Sequence, residues 1–304
     1  MEDVVLPNGW SFRHHKESCI IPMHSQNEAL ALLSKWAEVY PREETWVQRM
    51  YGVPSLFARI DGVVSPEGRL VVFEVDDRPA GIGVSCAINP LFKEAFERTR
   101  EHWPHFYSVM SDTRITDDEL WTKTKPLEKA LANGSLVLVR ARPEESAFKV
   151  LAPRSVSTVA SEGRKSYGEK LGLWKRISNP ETLPWESGFV LKPDGTRGRD
   201  VMIWPTAEDR ARLTSRQRRA LPTRSQIEKK ANAYCASEKP LYLQPYHSPM
   251  RTKDGLPMIY RFYFAYDPIE KRWVALGGVY NVMHDCALLV HGTNQAGFGP
   301  LEAI

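Results

Sequence analysis

The segment "RIDGVVSPEGRLVVFEVDD", residues 59–77, joins two runs of β-forming residues through a turn and places several acidic side chains among them. Strands are predicted over 56–64 and 69–75 because both runs are rich in β-branched and aromatic residues. The intervening "SPEG", 65–68, has the proline and glycine that are typical of a turn. An antiparallel hairpin is therefore predicted, with carboxylates close to its buried residues.

The predicted register decides where these carboxylates point. A turn of this length pairs residues whose numbers sum to 133, which sets Arg59 opposite Glu74 and Asp61 opposite Val72. Because side chains alternate between the faces of a strand, Arg59, Asp61, Glu74 and Asp76 are predicted to share one face. The other face is predicted to carry Ile60, Phe73 and Val75.

Three acids on one face repel each other unless a cation lies between them. Asp61, Glu74 and Asp76 offer the hard oxygen ligands that Mg²⁺ prefers, often together with substrate phosphates. A metal site is one interpretation of this face. The other is a strand end whose acids simply face water, since charged hairpin faces are common.

Composition limits the class of protein. The chain has 304 residues, 42% hydrophobic and 26% charged, and a net charge of +4, which is too small to indicate nucleic-acid or membrane binding. Neither a signal-peptide pattern nor an apolar run long enough to span a bilayer is recognised. The four cysteines are widely spaced without a CxxC pair, which favours reduced thiols and a cytoplasmic protein.

A second candidate site lies in "FVLKPDGTRGRDVMIW", 189–204, where a lysine ends a predicted strand and a glycine-rich loop follows. Glycines allow backbone N–H groups to approach phosphate oxygens, and Lys192 and Arg197 would add positive charge. A plain hairpin with a basic turn is the alternative. Lys192 also begins a KxDG pattern, which occurs in nucleotidyltransferases that use the lysine as a covalent nucleophile.

Two later strands carry further candidates. "LYLQPY", 241–246, ends in Gln244 and Tyr246, where an adenine could bond the main chain beside an apolar wall. Arg261 is a lone charge within "MIYRFYFAY", 258–266, and a phosphate would serve as its anionic partner. A core strand and an internal ion pair are the respective alternatives.

The remaining elements are predicted from periodicity and turn signals. A helix is expected after a capping box of Ser25 and Glu28, and another after the cap residue Asn89. Helices are also predicted over 117–131 and 162–177, and strands over 135–141 and 148–153. This alternation predicts a small α/β unit around 130–180. From Gly188 onward the chain is predicted to be rich in strands, interrupted by a basic stretch at 206–239.

Taken together, these segments resemble the ATP-grasp superfamily, in which an Arg-x-Asp strand and a Glu-x-Asn strand end the nucleotide site before a Pro-Gly turn. Here Asp76 replaces the usual asparagine. The acid segment precedes the lysine loop in the chain, so the order is similar to that of the circularly permuted, glutathionylspermidine synthase-like group. The glycine-rich "GGVYNVM", 277–283, resembles part of that group's closing segment.

The resemblance implies an α+β fold in which two antiparallel-sheet subdomains hold ATP, with a small α/β unit added. The implied domains are 1–125 with the metal-binding half, 126–185 with the α/β unit, and 186–304 with the phosphate loop and hinge. The resemblance implies that Mg²⁺ is bound by Asp61, Glu74 and Asp76. It implies catalytic roles for Arg59, Lys192 and Arg261. It implies that ATP is bound by Lys165, Lys192, Gly195, Arg197, Gly198, Gln244 and Tyr246.

The implied activity is ATP- and Mg²⁺-dependent ligation of a small-molecule or peptide carboxylate to an amine, through an acyl phosphate, with release of ADP and phosphate. Two alternatives remain open. One is a nucleotidyltransferase with Lys192 as nucleophile. The other is a non-catalytic module that binds nucleotide, or RNA through residues 209–230, where eight Lys/Arg oppose two acids.

Overall fold

A computed structural model describes most of the chain. The described residues are 2–5, 11–39, 46–65, 67–76, 81–103, 107–110, 136–139, 156–157, 165–194, 201–237, 239–284 and 295–303. The strands are β1 (Glu2–Val5), β2 (Ser11–His14), β3 (Cys19–Ile20), β4 (Phe57–Val64), β5 (Leu70–Asp76), β6 (Tyr107–Met110), β7 (Leu136–Val139), β8 (Val156–Ser157), β9 (Lys175–Ile177), β10 (Phe189–Pro193), β11 (Met202–Trp204), β12 (Leu241–Pro245), β13 (Met258–Asp267), β14 (Arg272–Met283) and β15 (Gln295–Glu302).

The helices are shorter and mostly peripheral to the sheets. They are α1 (Met23–Val39), α2 (Trp46–Tyr51), α3 (Ile82–Ile88), α4 (Pro90–Arg100), α5 (Ser166–Lys170), α6 (Ala207–Ala211), α7 (Ser215–Ala220) and α8 (Arg224–Ala236). A 3-10 turn covers Pro180–Thr182. Within the described residues, no helix is long and apolar enough to cross a membrane.

Three sheets organise the described residues. The large sheet has the order β1-β2-β15-β14-β13-β4-β5, with β3 beside β15. A four-stranded antiparallel sheet has the order β11-β10-β12-β9, and a small parallel sheet has the order β6-β7-β8. The mixed α+β architecture is as expected. The large sheet combines strands from both ends of the chain, and the predicted domain boundaries stay a prediction.

One face of the large sheet forms the main core. Phe262 and Phe264 of β13 are fully buried there, and α1 contributes Leu33 and Trp36 to the same core. Fully burying side chains of this size contributes about 2 kcal/mol each. Helix α1 therefore covers this face of the sheet.

The opposite face of the large sheet is covered in one part by α3 and α4, since Val279 packs with Val84 and Ile88 and Tyr263 packs with Phe92. In another part it meets the four-stranded sheet. The contact is an apolar cluster formed by Val63, Val190, Ile203, Tyr246, Ile259 and Met283. Because β4, β13 and β14 supply one side of this cluster and β10, β11 and the residue after β12 supply the other, the two sheets face each other, and we call the region between them the cleft. We call this opposite face of the large sheet the cleft face.

The hairpin register differs from the prediction. Arg59 pairs with Asp76 and Asp61 with Glu74, so the sum is 135 at this end, while Gly62 pairs with Val72 after a register shift. The expected sum of 133 is wrong for two reasons: the strands already pair with a sum of 134 next to the turn, and a β-bulge in β5 adds one more. A difference of two residues keeps each side chain on the same face, so the four charged residues do share one face.

The bulge is what brings the acids to the cleft. Near the turn Val63 pairs with Val71, and an uninterrupted ladder would have set Glu74 opposite Ile60, on the face that α1 covers. The extra residue reverses this alternation. Phe73 consequently packs with the cleft cluster, and its predicted place on the core face is wrong.

Glycine at position 62 permits the bulge. A Cβ atom there would overlap the carbonyl oxygen of Val71 on the paired strand. Any larger residue would have to push the two backbones apart at the point where the register changes. A glycine inside a strand is a known signal of such an irregularity.

Two predicted helix starts have opposite outcomes. The capping box of Ser25 and Glu28 is wrong, because α1 begins at Met23 and the Ser25 hydroxyl instead donates to the carbonyl oxygen of Gly68 at 2.6 Å. The Asn89 cap is confirmed, since its Oδ1 accepts from the backbone N–H of Phe92 at 3.0 Å.

The other element predictions are mostly confirmed. The strands predicted after Gly188 are present, and the basic stretch carries three helices. The helix predicted over 162–177 is too long, because α5 spans Ser166–Lys170 and the chain then enters β9. The helix predicted over 117–131 and the strand predicted over 148–153 lie outside the described residues.

Candidate active site

A buried ion-pair network occupies the acidic end of β4 and β5. The Arg59 guanidinium donates to both carboxylate oxygens of Asp61, at 2.6 and 2.8 Å, and its Nη2 also donates to Asp76 at 3.2 Å. Burial would lower the pKa of Arg59, but the charges of Asp61 and Asp76 raise it well above its usual value. One permanently charged guanidinium therefore holds two of the predicted metal ligands together.

The third acid is paired with a lysine that lies outside both sheets. Lys165 precedes α5, and its Nζ lies 2.7 Å from Oε1 of Glu74. Burial raises the pKa of Glu74, but the charge of Lys165 and its hydrogen bond lower it, with a net shift below the usual value. Since the Glu74 side chain keeps 43% of its surface exposed, it remains reachable from solvent in the cleft.

Lys192 projects from β10 toward the backbone of β5 beside Glu74. It is 4% exposed, donates from Nζ to the carbonyl oxygen of Phe73, and lies 4.0 Å from the ring centroid of Trp174. Burial, followed by repulsion from Lys165, lowers its pKa to about 7, although Glu74 opposes the shift. The side chain is thus poised between its charged and neutral forms near neutral pH, and an anion beside it would restore the charge.

The lysines are held in place by local packing around α5. The Trp174 indole donates to the carbonyl oxygen of Lys165 at 2.6 Å, and the backbone N–H of Lys165 donates to the Asp194 carboxylate. A Cβ atom at Gly168 would overlap the Trp174 ring, so glycine is needed for the indole to lie under Lys192. Both lysines accordingly have backbones fixed close to the acids.

The predicted metal ligands are oxygen donors of the right chemical type, but each is paired with a cation. Within the part of the chain that the structure describes, no three His, Cys, Asp or Glu side chains form a group that could hold a metal ion. Arg59 and Lys165 provide the charge balance for the three acids. A bound Mg²⁺ would take over that role, and the assignment of Asp61, Glu74 and Asp76 as its ligands stays a prediction.

An apolar pocket wall with a polar edge adjoins the lysines. Phe73 packs with the cleft cluster, and Gln244 donates from Nε2 to the carbonyl oxygen of Val72 at 2.6 Å. The Gln244 Oε1 atom is buried and has no hydrogen-bond partner among the described residues. A flat heterocycle with an amino group would fit this wall and satisfy that oxygen, as an adenine would.

The other predicted site residues divide into two groups. Arg261 pairs with Asp61 in the ladder between β13 and β4, so the two residues face the same cleft. Tyr246 is a member of the apolar cluster. The predicted phosphate-loop residues Gly195, Arg197 and Gly198 lie outside the described residues.

Sequence reasoning missed Trp174 and the cleft position of Phe73. Gly62 within a strand was a usable signal for the bulge that turns Phe73 toward the cleft. Trp174 had no comparable signal, because its contact with Lys192 depends on how β10 lies against the segment that follows α5.

Comparison with known proteins does not assign a role to these residues. No protein-family model matches the chain, and no curated protein sequence matches it. A similar solved structure is described as "Putative gamma-glutamylcysteine synthetase" from Methylobacillus flagellatus KT, with a TM-score of 0.40, 12% sequence identity, and coverage of 90% of this chain and 86% of that one. A similarity at this TM-score carries no inference about fold or activity.

Proposed function

We propose that the protein is an ATP- and Mg²⁺-dependent ligase that joins a carboxylate to an amine and releases ADP and phosphate. The observation that carries this proposal is that two lysines meet β5 at adjacent residues: Lys165 donates to Glu74, and Lys192 donates to the carbonyl oxygen of Phe73. A triphosphate needs buried cations for its oxygens and acids for its metal, and the cleft offers both. An apolar wall for a heterocycle lies beside them.

The chain order supports a circularly permuted ATP-grasp arrangement as part of this proposal. The acid-bearing strands β4 and β5 precede the lysine-bearing strand β10 in sequence. Asp61, Glu74 and Asp76 would hold Mg²⁺, which neutralises charge on the transferring phosphoryl group when it is bound. Lys192 would bind phosphate oxygens, and Arg59 would orient the acyl phosphate formed from the carboxylate substrate.

A defined pair of variants tests the proposal. Purified protein is screened for ATP-dependent phosphate release with mixtures of carboxylic acids and amines, including amino acids and polyamines. Glu74→Gln should abolish the release because a metal-binding carboxylate is lost and Lys165 loses its counter-charge. Glu28→Gln, at an exposed position of α1, is the matched control and should be unaffected. Unchanged release in Glu74→Gln would contradict the ligase mechanism.

A nucleotidyltransferase remains the second candidate because one observation favours it. A buried lysine whose pKa is about 7 is partly neutral at physiological pH, and a neutral amine is a nucleophile. Incubation with ATP labelled at the α-phosphate distinguishes the two reactions. A stable lysine–AMP adduct that disappears in Lys192→Arg would support this candidate, and ADP release without an adduct would support the ligase.

A further inference from the structure

Asn281 is the starting point because its side chain is fully buried and unsatisfied. It lies in the middle of β14 with 0% of its surface exposed, and neither Oδ1 nor Nδ2 has a hydrogen-bond partner among the described residues. An amide buried without partners is costly, and most such groups in folded proteins are satisfied. The Asn281 side chain therefore has a hydrogen-bond donor and an acceptor available at the same position.

Alternation along β14 shows which way this side chain points. Val279 and Met283 lie two residues to either side. On the cleft face Met283 packs with the cluster that includes the four-stranded sheet, and Val279 packs with Val84 and Ile88 of α3. Tyr280 and Val282, between them, belong to the main core. Asn281 therefore lies on the cleft face, with apolar neighbours on both sides along the strand.

Asn89 shows what a structural asparagine looks like in the same region. It is 1% exposed, its Nδ2 donates to the carbonyl oxygens of Gly278 at 2.9 Å and Leu301 at 2.8 Å, and its Oδ1 accepts from Phe92. Every polar atom of that side chain is used by the fold. The contrast indicates that Asn281 is not needed to hold the strands together.

The position of Asn281 relative to the acids suggests what it meets. The side chains of Lys165, Lys192 and Gln244 all reach β5, so a nucleotide held by them lies on the β5 side of the acids. The activated substrate would then lie on the opposite side, beside β13 and β14, between the part of the face that α3 covers and the part that meets the four-stranded sheet. There Arg261 lies next to Asp61 in the ladder, and Asn281 lies on the following strand opposite Ile259, two residues from Arg261.

We propose that Asn281, together with the positive charge of Arg261, binds the head group of an α-amino acid. Nδ2 would donate to the substrate carboxylate beside the guanidinium, and Oδ1 would accept from its ammonium group. An uncharged amide suits this role because it serves both charges of a zwitterion without adding one of its own. This inference rests on the proposed ligase function and specifies its substrate class.

The test separates substrate binding from catalysis by omitting ATP. Proteinogenic L-α-amino acids are added singly to the full-length protein and to Asn281→Leu, and the thermal midpoint of each is measured. In the wild type at least one amino acid should raise the midpoint, while its deamino analogue should not. In Asn281→Leu the apparent affinity for that amino acid should fall by about tenfold or more, since a hydrogen-bonded charged group loses its partners.

The thermal midpoint without ligand distinguishes a binding role of Asn281 from a structural one. Asn281→Leu should have a higher midpoint than the wild type, because it replaces an unpaired buried amide with an apolar group of similar size. The matched control Asn89→Leu should have a lower midpoint, since it leaves two carbonyl oxygens and an N–H unpaired.

Three outcomes would overturn the proposal. They are a loss of stability or of folding in Asn281→Leu, an unchanged amino-acid response in that variant, and a wild type that responds to no amino acid. Phosphate release with carboxylates that are not amino acids would then still support the ligase. Amino-acid binding without any ATP-dependent release would instead support this site and contradict the ligase.

Discussion

At the scale of single residues, Lys192 is a buried cation of the cleft whose pKa is strongly lowered. It is nearly fully buried, lies close to a second lysine, and has a pKa of about 7 instead of 10.5. Burial is the main cause, because the charged amine loses its hydration. The charged form of Lys192 therefore lowers the free energy of unfolding. A bound anion offsets this cost.

The pKa of Lys192 predicts a specific pH dependence. The unfolded chain binds more protons than the folded one between about pH 7 and 10.5, so this residue makes stability rise with pH across that window. Below about pH 7 both states are protonated and the full cost is present. Lys192→Met should therefore stabilise the protein more at about pH 6.5 than at about pH 9.5. Thermal midpoints at both values test this, and an equal effect at both would contradict it.

The same residue should couple nucleotide binding to protonation. Because a triphosphate favours the charged amine, binding of ATP should take up a proton between about pH 7 and 9 and weaken as pH rises. Calorimetry in buffers of different ionisation enthalpy measures this uptake. In Lys192→Arg the uptake should vanish, since an arginine stays charged throughout this range.

At the scale of elements, the bulge in β5 determines which face of the sheet carries Glu74 and Asp76. Without it Glu74 would point to the helix-covered core opposite Ile60. With it Glu74 and Asp76 reach the cleft face together with Asp61. Gly62 accommodates the change, because any Cβ atom would overlap the Val71 carbonyl oxygen.

Gly62→Ala is therefore expected to act on both stability and activity. The overlap involves backbone, so the variant should lose about 1–3 kcal/mol of stability and should displace the acids. Nucleotide-dependent phosphate release should fall more than the loss of folded protein explains. Gly255→Ala is the matched control: its φ is +79° and a Cβ there meets nothing within 4 Å, so about 1 kcal/mol of backbone strain and normal activity are expected. Chemical denaturation and turnover assays separate the two.

At the scale of the whole molecule, two sheets meet through a small apolar cluster and a few polar bonds to β5. A ligand that bridges them stabilises the folded state by mass action. At a concentration about 100 times its dissociation constant, ATP with Mg²⁺ should add about 2.7 kcal/mol. Chelation of the metal should remove most of this gain, and an identical ATP effect with and without chelator would contradict the metal assignment.

The basic helices α6 to α8 form the other large-scale feature. Their charge is partly balanced, since Arg212 pairs with Glu208 and Arg224 with Glu228. The side chains of Lys229 and Lys230 are exposed on α8. Reversing both to glutamate should leave phosphate release unchanged, because neither lysine reaches the acids. Loss of a salt-sensitive RNA affinity in that variant would instead support the RNA-binding alternative.

Local pattern was sufficient for much of the fold. Alternation and turn residues predict β4, β5 and β10 to β14, because strand formation and the direction of side chains follow from neighbouring residues. The Asn89 cap was equally readable, since a cap is a contact within one turn of chain. The shared face of Arg59, Asp61, Glu74 and Asp76 was predicted correctly, although its register was wrong.

The sequence by itself determined where β4, β5 and β10 to β14 form and which acids and lysines are available for chemistry. Only the tertiary structure decided that Lys165 reaches Glu74, that Lys192 reaches the carbonyl oxygen of Phe73, and that Asn281 is buried without a hydrogen-bond partner among the described residues. These contacts join segments about a hundred or more residues apart in the chain. They depend on how two sheets pack, which no local periodicity encodes.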